Sequence, residues 1–466
     1  MLTLVHSISI LVTLSFVGAV GIYSARLVKS AKDFLVGGRN LGTLLVAGAL
    51  VGSFIGGTST IGTAQIGYTL GISGVWFTLG AGISCIVMGV FLAKPLRESE
   101  VDTIPTFLEA TYGKRAATWV TFFTSVGMLI QIAAQVLASI PLITSIFPLE
   151  PYIAAVTVMI LIVSYVIFGG AWGTSLVGLT KTILLYTSLF VAGCISLKLF
   201  GGINGLLDSF TPQPWFNLFP HGISQELASG FSVIVGFTST QSYLQVIFSG
   251  RDVKASRKGA VLAGLIIPFI GLASVSIGMF MAIHYPDINP AEALPLYVLK
   301  HLNPWLGGVV LATLLVSLVM TGSALALGVS TIWSQNIYKE LLRREASDGE
   351  LLWVSRLMVL LTALIVIVFV LGNTNSLILK WAFLSMAIRG VTVFLPLFGA
   401  VFFKKYMDRG AGTIAVSVAP TAAVIWAVLG YETIQPLYLG LILSFVILFA
   451  GFLKKYHKKL DKMCKI

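Results

Sequence analysis

Gly56-Gly57-Thr58-Ser59-Thr60 and Gly236-Phe237-Thr238-Ser239-Thr240 are one glycine-led, hydroxyl-rich interruption written twice, each inside an apolar stretch long enough to cross a bilayer. In hydrocarbon every backbone N–H and C=O needs a partner, so such a break persists at bilayer depth only where it lines a cavity or holds a ligand. Matching breaks in two parts of one chain point to the binding site of a secondary transporter. A five-residue pattern can also recur by chance in so apolar a chain, and topology decides between the two.

Around the breaks the chain is apolar throughout. Hydrophobic residues make up 57% and charged residues 10%, with a mean hydropathy of +0.95, which excludes a soluble globular domain with a charge-rich surface. Thirteen runs of spanning length are counted, near 3–25, 41–70, 74–96, 116–147, 151–168, 175–199, 225–248, 258–284, 304–338, 352–372, 376–403, 411–431 and 435–453. The first is long, is followed by charge and lacks a small-residue cleavage site, so it reads as a retained helix rather than a signal peptide. The fold class expected is an all-α integral membrane protein.

A net charge of +12 raises the question of a nucleic-acid partner, and the placement of the cations answers it. Lys and Arg cluster after the first, third, seventh, ninth and eleventh runs and in the tail Lys454-Lys455-Tyr456-His457-Lys458-Lys459, while the opposite loops hold only Lys198 and Lys300. That alternation is the positive-inside pattern, with the N-terminus outside and the C-terminus cytoplasmic in a cell membrane. No nucleic-acid partner is expected; the partners are the lipid bilayer, a small solute and a coupling cation. Cys85, Cys194 and Cys464 have neither metal nor redox spacing. No phosphate-binding loop or soluble catalytic domain is recognisable, so the expectation is no cofactor, no enzymatic activity, and energy from an ion gradient.

The interrupted runs are the second and the seventh, and an offset of five makes them cross in opposite directions. Two inverted five-helix repeats follow, each led by a broken helix, preceded by one helix and trailed by two. The organisation expected is 1–40 leading helix and loop, 41–200 first repeat, 201–224 external loop, 225–405 second repeat, and 406–466 trailing helices with the basic tail. The loop 201–224 and the segment 285–303 read as gates, caps or passive connectors.

Asp33-Phe34-Leu35-Val36-Gly37-Gly38-Arg39 with Leu41-Gly42, Gly169-Gly170, Gln241-x-Tyr243-x-Gln245, Ser249-Gly250-Arg251-Asp252-x-Lys254 and Ser330-Thr331-Ile332-Trp333-Ser334-x-x-Ile337-Tyr338-Lys339 occur in this order along the chain. In that order and spacing the chain resembles the sodium/solute symporter family, whose fold is the LeuT-type inverted repeat with one additional leading helix. The resemblance implies an ion-coupled symporter of a small organic solute working by alternating access. It also implies a sodium site between the second and ninth helices, with carbonyls of Gly52 and Ile55 and, on the ninth, Ser317, Met320 and Thr321. A Met thioether is a poor ligand for a hard cation. On the sixth helix, where relatives resemble Gly-Gly followed by Thr-Asp-x-x-Gln, this chain reads Val177-Gly178-Leu179-Thr180-Lys181, so an acid is missing and a lysine has arrived. The coupling ion is therefore open between sodium, proton and none.

None of the eighteen Asp and Glu residues falls near a bilayer midplane, yet Lys181, Lys380 and Arg389 lie within spans. An unpaired charge there costs about 3 kcal/mol or more and usually marks function. Lys380, early in the eleventh run, reads as snorkelling outward. Lys181 either snorkels to the cytoplasmic face, or stands in for sodium, or carries the coupling proton. Arg389 either clamps carbonyls of the broken helices or offers its planar fork to a carboxylate or phosphate on the solute, which would then be anionic or zwitterionic. The solute-contact candidates are Thr58, Ser59, Thr60, Thr238, Ser239, Thr240, Gln241 and Tyr243, joined by Gln131 and Gln135 of a polar stripe on the fourth run that continues to Ser139. The hydroxyls have a plainer use in satisfying freed backbone, and the stripe in binding helix to helix. A sensor that keeps the transporter fold as a ligand-binding module is the alternative function; a membrane-embedded enzyme lacks any His, Asp, Ser or Cys cluster at depth.

Overall fold

In the computed structural model, residues 2–147, 149–220, 222–373, 378–429 and 435–463 are described. Among them every regular element is helical, apart from one isolated backbone bridge, and the fold is all-α. Ten helices are long and apolar enough to cross a bilayer, and two shorter apolar ones accompany them. Some of these stretches hold two runs of the sequence on either side of a break in the backbone. The fifth and sixth runs meet within Pro151–Leu199 at Gly170, whose backbone is not helical and separates a segment before it from a segment after it. Gly170 has φ +49°, and a Cβ there would lie 2.6 Å from the carbonyl oxygen of Phe34, so only glycine lets the break close on the short helix Ala31–Val36.

The helices that carry the argument are α1 (Leu4–Ala25), α2 (Thr43–Phe54), α3 (Thr63–Leu70), α4 (Lys114–Ile146), α5 (Pro151–Leu199), α6 (Ile223–Thr238), α7 (Gln241–Ser249), α8 (Val253–His284), α9 (Ala293–His301), α10 (Pro304–Ile332) and α11 (Ile378–Phe402). Both interruptions are real breaks. α2 stops at Phe54, Ile55 is extended, and a π-helical turn over Thr58–Gly62 leads into α3. α6 stops at Thr238, Thr240 is extended, and α7 starts at Gln241.

The two broken helices meet at the centre, where Phe54 stacks on Tyr243 at 4.0 Å between ring centroids and meets Phe237 edge-on at 4.7 Å. At one end they are stitched through backbone, Leu41 N donating to Ser249 O and Arg251 N to Leu41 O. α2 also lies hard against α5. A Cβ on Gly52 would fall 2.6 Å from the Gly178 Cα, and one on Gly178 would fall 2.8 Å from the Gly48 carbonyl oxygen. Small residues of this kind replace the hydrophobic drive that lipid cannot supply between helices. That contact delivers the next turn of α5, with Lys181, to the first break.

Candidate functional site at the paired helix breaks

The freed carbonyls of the first break are shared between hydroxyls and one lysine. Ser59 Oγ donates to Phe54 O at 2.9 Å and Thr60 Oγ1 to Gly56 O at 3.0 Å. The carbonyls of Gly52 and Ile55 are taken instead by Lys181. Its ammonium donates to Gly52 O at 2.6 Å, to Ile55 O, and to Ser317 O of α10 at 3.2 Å. An ammonium has three donors and no acceptor, and all three are used. Ser317 Oγ adds a bond to Ile55 O at 2.7 Å, and Thr321 Oγ1 donates to Ser317 O at 3.1 Å. Lys181 is fully buried. The snorkelling reading is thereby corrected: the stem runs inward because carbonyls without helical partners await it, whereas the bilayer face offers none.

Three of the five residues implied around a cation, Gly52, Ile55 and Ser317, therefore surround the lysine nitrogen, and Thr321 buttresses the third. Met320 turns the other way, into an apolar cluster with Val17, Val177 and Val316. The donor set, tested against sodium, does not fit: an ion placed among these carbonyls would meet an ammonium head on.

The second break carries the other embedded cation. Arg389 is fully buried; its Nη1 donates to Thr240 Oγ1 at 2.7 Å, Nη2 to Gln131 Oε1 at 3.1 Å, and Nε to Ser385 O at 3.1 Å. Guanidinium carries five donors, which leaves two for another acceptor. Thr240 Oγ1 donates in turn to Gly236 O at 2.7 Å, and Thr238 Oγ1 to Ile234 O at 2.7 Å. The stripe on α4 reaches both breaks: Gln131 touches the second through Arg389, and Gln135 Nε2 donates to Thr58 Oγ1 of the first at 3.2 Å. Ser139 bonds only the carbonyl of Val136 in its own helix.

Three buried polar atoms here have no protein partner, Gln135 Oε1, Ser239 Oγ and, on the first turn of α7, Ser242 Oγ. Each is an open donor or acceptor beside a break. Phe54, Phe237 and Tyr243 pack ring on ring between the breaks, with Phe77 edge-on to Phe237 at 5.7 Å. The sequence reading missed Phe54, Phe77 and Phe237, because in a chain this rich in apolar residues nothing marks one aromatic from the next.

Gln241 corrects a further expectation. Its Oε1 accepts from Ile104 N at 2.8 Å and its Nε2 donates to Asp102 O at 2.9 Å. As the first residue of α7 it reaches the loop before the helix Ile104–Tyr112, and with both its oxygen and its amide nitrogen engaged there it ties that loop to the break. Lys380, expected to snorkel, has its side chain outside the described residues.

The sodium:solute symporter family model matches residues 34–415. The chain belongs to that family. It is similar to the high-affinity proline transporter PutP of Bacillus subtilis, 22% identical over 430 residues that cover 88% of this chain and 89% of the relative. It is also similar to the sodium/glucose cotransporter of Vibrio parahaemolyticus, 23% identical over 451 residues covering 84% and 79%. Among solved structures, a substrate-bound, outward-open Na⁺-coupled sialic acid symporter superposes with a TM-score of 0.85, at 16% identity and over 97% of both chains. Likeness at that identity establishes the fold, the LeuT-type inverted repeat. The symporter is thus a multi-pass membrane transporter of a small solute, coupled to an ion, and its family is built of transporters.

Proposed function

We propose that this symporter uses the Lys181 ammonium where its relatives use sodium, and that the proton on Lys181 is the coupling ion. The observation that carries the reading is the triple donation from Lys181 to Gly52, Ile55 and Ser317. Charged, the amine pins the end of α2 to α5 and α10. Neutral, it has two donors for three carbonyls and loses the charge that strengthens each bond, since a hydrogen bond from a charged donor is worth about 1.5–3 kcal/mol and a neutral one about 0.5–1.5. Proton loss would therefore loosen the same helix crossing that alternating access must open.

The solute would sit between the breaks against the packed aromatic rings, with Gln135, Ser239 and the two spare donors of Arg389 as polar contacts. Arg389, bonded to Thr240 and Gln131 but to no carboxylate, favours a solute bearing a carboxylate or phosphate, anionic or zwitterionic overall. Thr58, Ser59, Thr60, Thr238, Thr240 and Tyr243 complete the proposed contact set at the two breaks. The N-terminus outside, the cytoplasmic C-terminus, the cell membrane and the repeat boundaries at 41–200 and 225–405 complete the proposal, supported by the charge asymmetry of the loops.

Sodium, the ion of the family, is the competing assignment. Uptake into proteoliposomes with sodium and proton gradients imposed separately decides between them. An inward proton gradient should drive accumulation and a sodium gradient should not. Uptake that demands sodium, remains sodium-dependent in Lys181→Gln and ignores the proton gradient would overturn the reading.

A further inference from the structure

A cavity lies away from the paired breaks, at the far end of α10. There the helix continues as a ten-residue π-helical segment, Trp333–Leu342, a rare form that usually lasts a single turn and marks functional places. Between this segment and the start of α4 runs a groove of about 470 Å³. Phe122, Val126 and Leu129 form one wall and Trp333, Ile337 and Leu341 the other. Phe122 and Leu341 are about half exposed, so within a membrane the groove opens towards acyl chains. Trp333 Nε1 donates to Ser125 Oγ at 2.9 Å across it.

One end of the groove is polar. Glu109, Lys114 and Glu340 line both the groove and an adjoining pocket of about 440 Å³, which adds Lys339 and Arg344. Three cations and two carboxylates thus converge where the apolar slot ends. Glu340 Oε1 accepts from Thr106 Oγ1 and Asn336 Nδ2, both at 3.3 Å, which fixes one carboxylate at the pocket's edge. Trp119, exposed and stacked on Phe123, stands one turn along from Lys114 on α4, as tryptophans do at the headgroup level.

We propose that this composite cavity binds a phospholipid whose headgroup joins a phosphate to a primary amine. The apolar groove takes an acyl chain, Lys114, Lys339 and Arg344 take the phosphate, and Glu109 and Glu340 take the ammonium. A purely anionic headgroup would leave two carboxylates facing it, and a quaternary amine cannot hydrogen-bond to them; the mixed charge complements only a headgroup carrying both signs with N–H donors. The lipid would bridge α4 to the end of α10, the helix that carries Ser317.

Native mass spectrometry of the purified full-length protein, titrated with phosphatidylethanolamine, phosphatidylglycerol and phosphatidylcholine of one acyl composition, tests this. Phosphatidylethanolamine should be retained roughly tenfold more tightly than the other two, the factor expected of one charge-assisted contact. The preference should vanish in Glu109→Gln combined with Lys114→Gln. Equal retention of the three lipids, a preference for phosphatidylglycerol, or a preference that survives the double substitution would each overturn the proposal. Glu109→Gln alone, which removes one of the two carboxylates assigned to the ammonium, carries the same test if the double variant does not fold.

Discussion

The ammonium nitrogen of Lys181 stands 2.6 Å from the carbonyl oxygen of Gly52, two residues that are 129 apart in the chain and meet because Gly178 and Gly52 let their helices touch. Lys181→Ala removes the ammonium and leaves the carbonyls of Gly52, Ile55 and Ser317 facing a gap open to another cation. The thermal midpoint of that variant should rise with added sodium over a choline control, while the unaltered protein should show no difference between the two salts. Lys181→Gln, which fills the space without charge, should transport with no response to a proton gradient. Sodium stabilisation of the unaltered protein as large as that of Lys181→Ala would contradict this account.

Gly52→Ala tests the crossing itself. Its Cβ would lie 2.6 Å from the Gly178 Cα, and backbone cannot swing aside as a side-chain tip can. Overpacking of this kind costs about 1–3 kcal/mol and here would also lift the Lys181 acceptors out of reach. Gly62→Ala is the control, since its Cβ makes ordinary contacts alone, with the Thr58 methyl at 3.7 Å and the Gly57 carbonyl oxygen at 3.8 Å. The thermal midpoint should fall clearly in the first and hardly move in the second. The same crowding explains why an acid at position 178, expected from the family pattern, has no room in this chain.

Arg389 joins α11, the second break and α4 through one side chain. Arg389→Gln breaks charge-assisted bonds worth about 1.5–3 kcal/mol each, and Arg389→Lys keeps the charge but cannot reach Thr240, Gln131 and Ser385 in one plane. If the guanidinium also holds the solute, both variants should weaken binding of a carboxylate-bearing solute by an order of magnitude or more. Competition binding against the solute and its neutral amide reads this directly: the amide should lose far less. Unchanged carboxylate affinity in Arg389→Gln would reduce the residue to a structural clamp.

The breaks were legible because hydrocarbon leaves no other use for Gly-x-Thr-Ser-Thr at depth, and the lysine because a charge without a counter-ion stands out in so apolar a chain. What Lys181 bonds was legible only as far as the family's cation site could be laid on Gly52, Ile55 and Ser317. Gln241 was misread since a nine-residue half-helix gives too little periodicity to say which way its first residue aims. The break at Gly170 was legible because a glycine pair ends the hydropathy run there, and its backbone is indeed non-helical. Phe54 against Tyr243 could not be foreseen at all, as stacking depends on where two distant helices cross and leaves no mark in either one.

The segment after α8 adds a response to pH that is separate from Lys181. Tyr68 of α3 donates its hydroxyl to the carbonyl of Tyr285 at 2.7 Å, and the Tyr285 hydroxyl lies 3.1 Å from Nε2 of His301. The outer half of the first broken helix is thus tied to a cap built on α9. Burial, and then the neighbouring His284 and Lys300, hold the His301 pKa below its ordinary 6.5. Lys300 is itself fixed over the Tyr285 ring at 4.2 Å. A depressed histidine pKa means that the folded cap binds fewer protons than the unfolded one, so its contribution is complete above pH 6.5 and is lost as pH falls towards the folded value. Hydrogen exchange across 285–303 should accelerate as pH is lowered through that window, after correction for intrinsic rates, and His301→Gln should flatten the dependence. Because the tie runs through Tyr68, exchange at the end of α3 should follow the same curve, and Tyr68→Phe should uncouple the two.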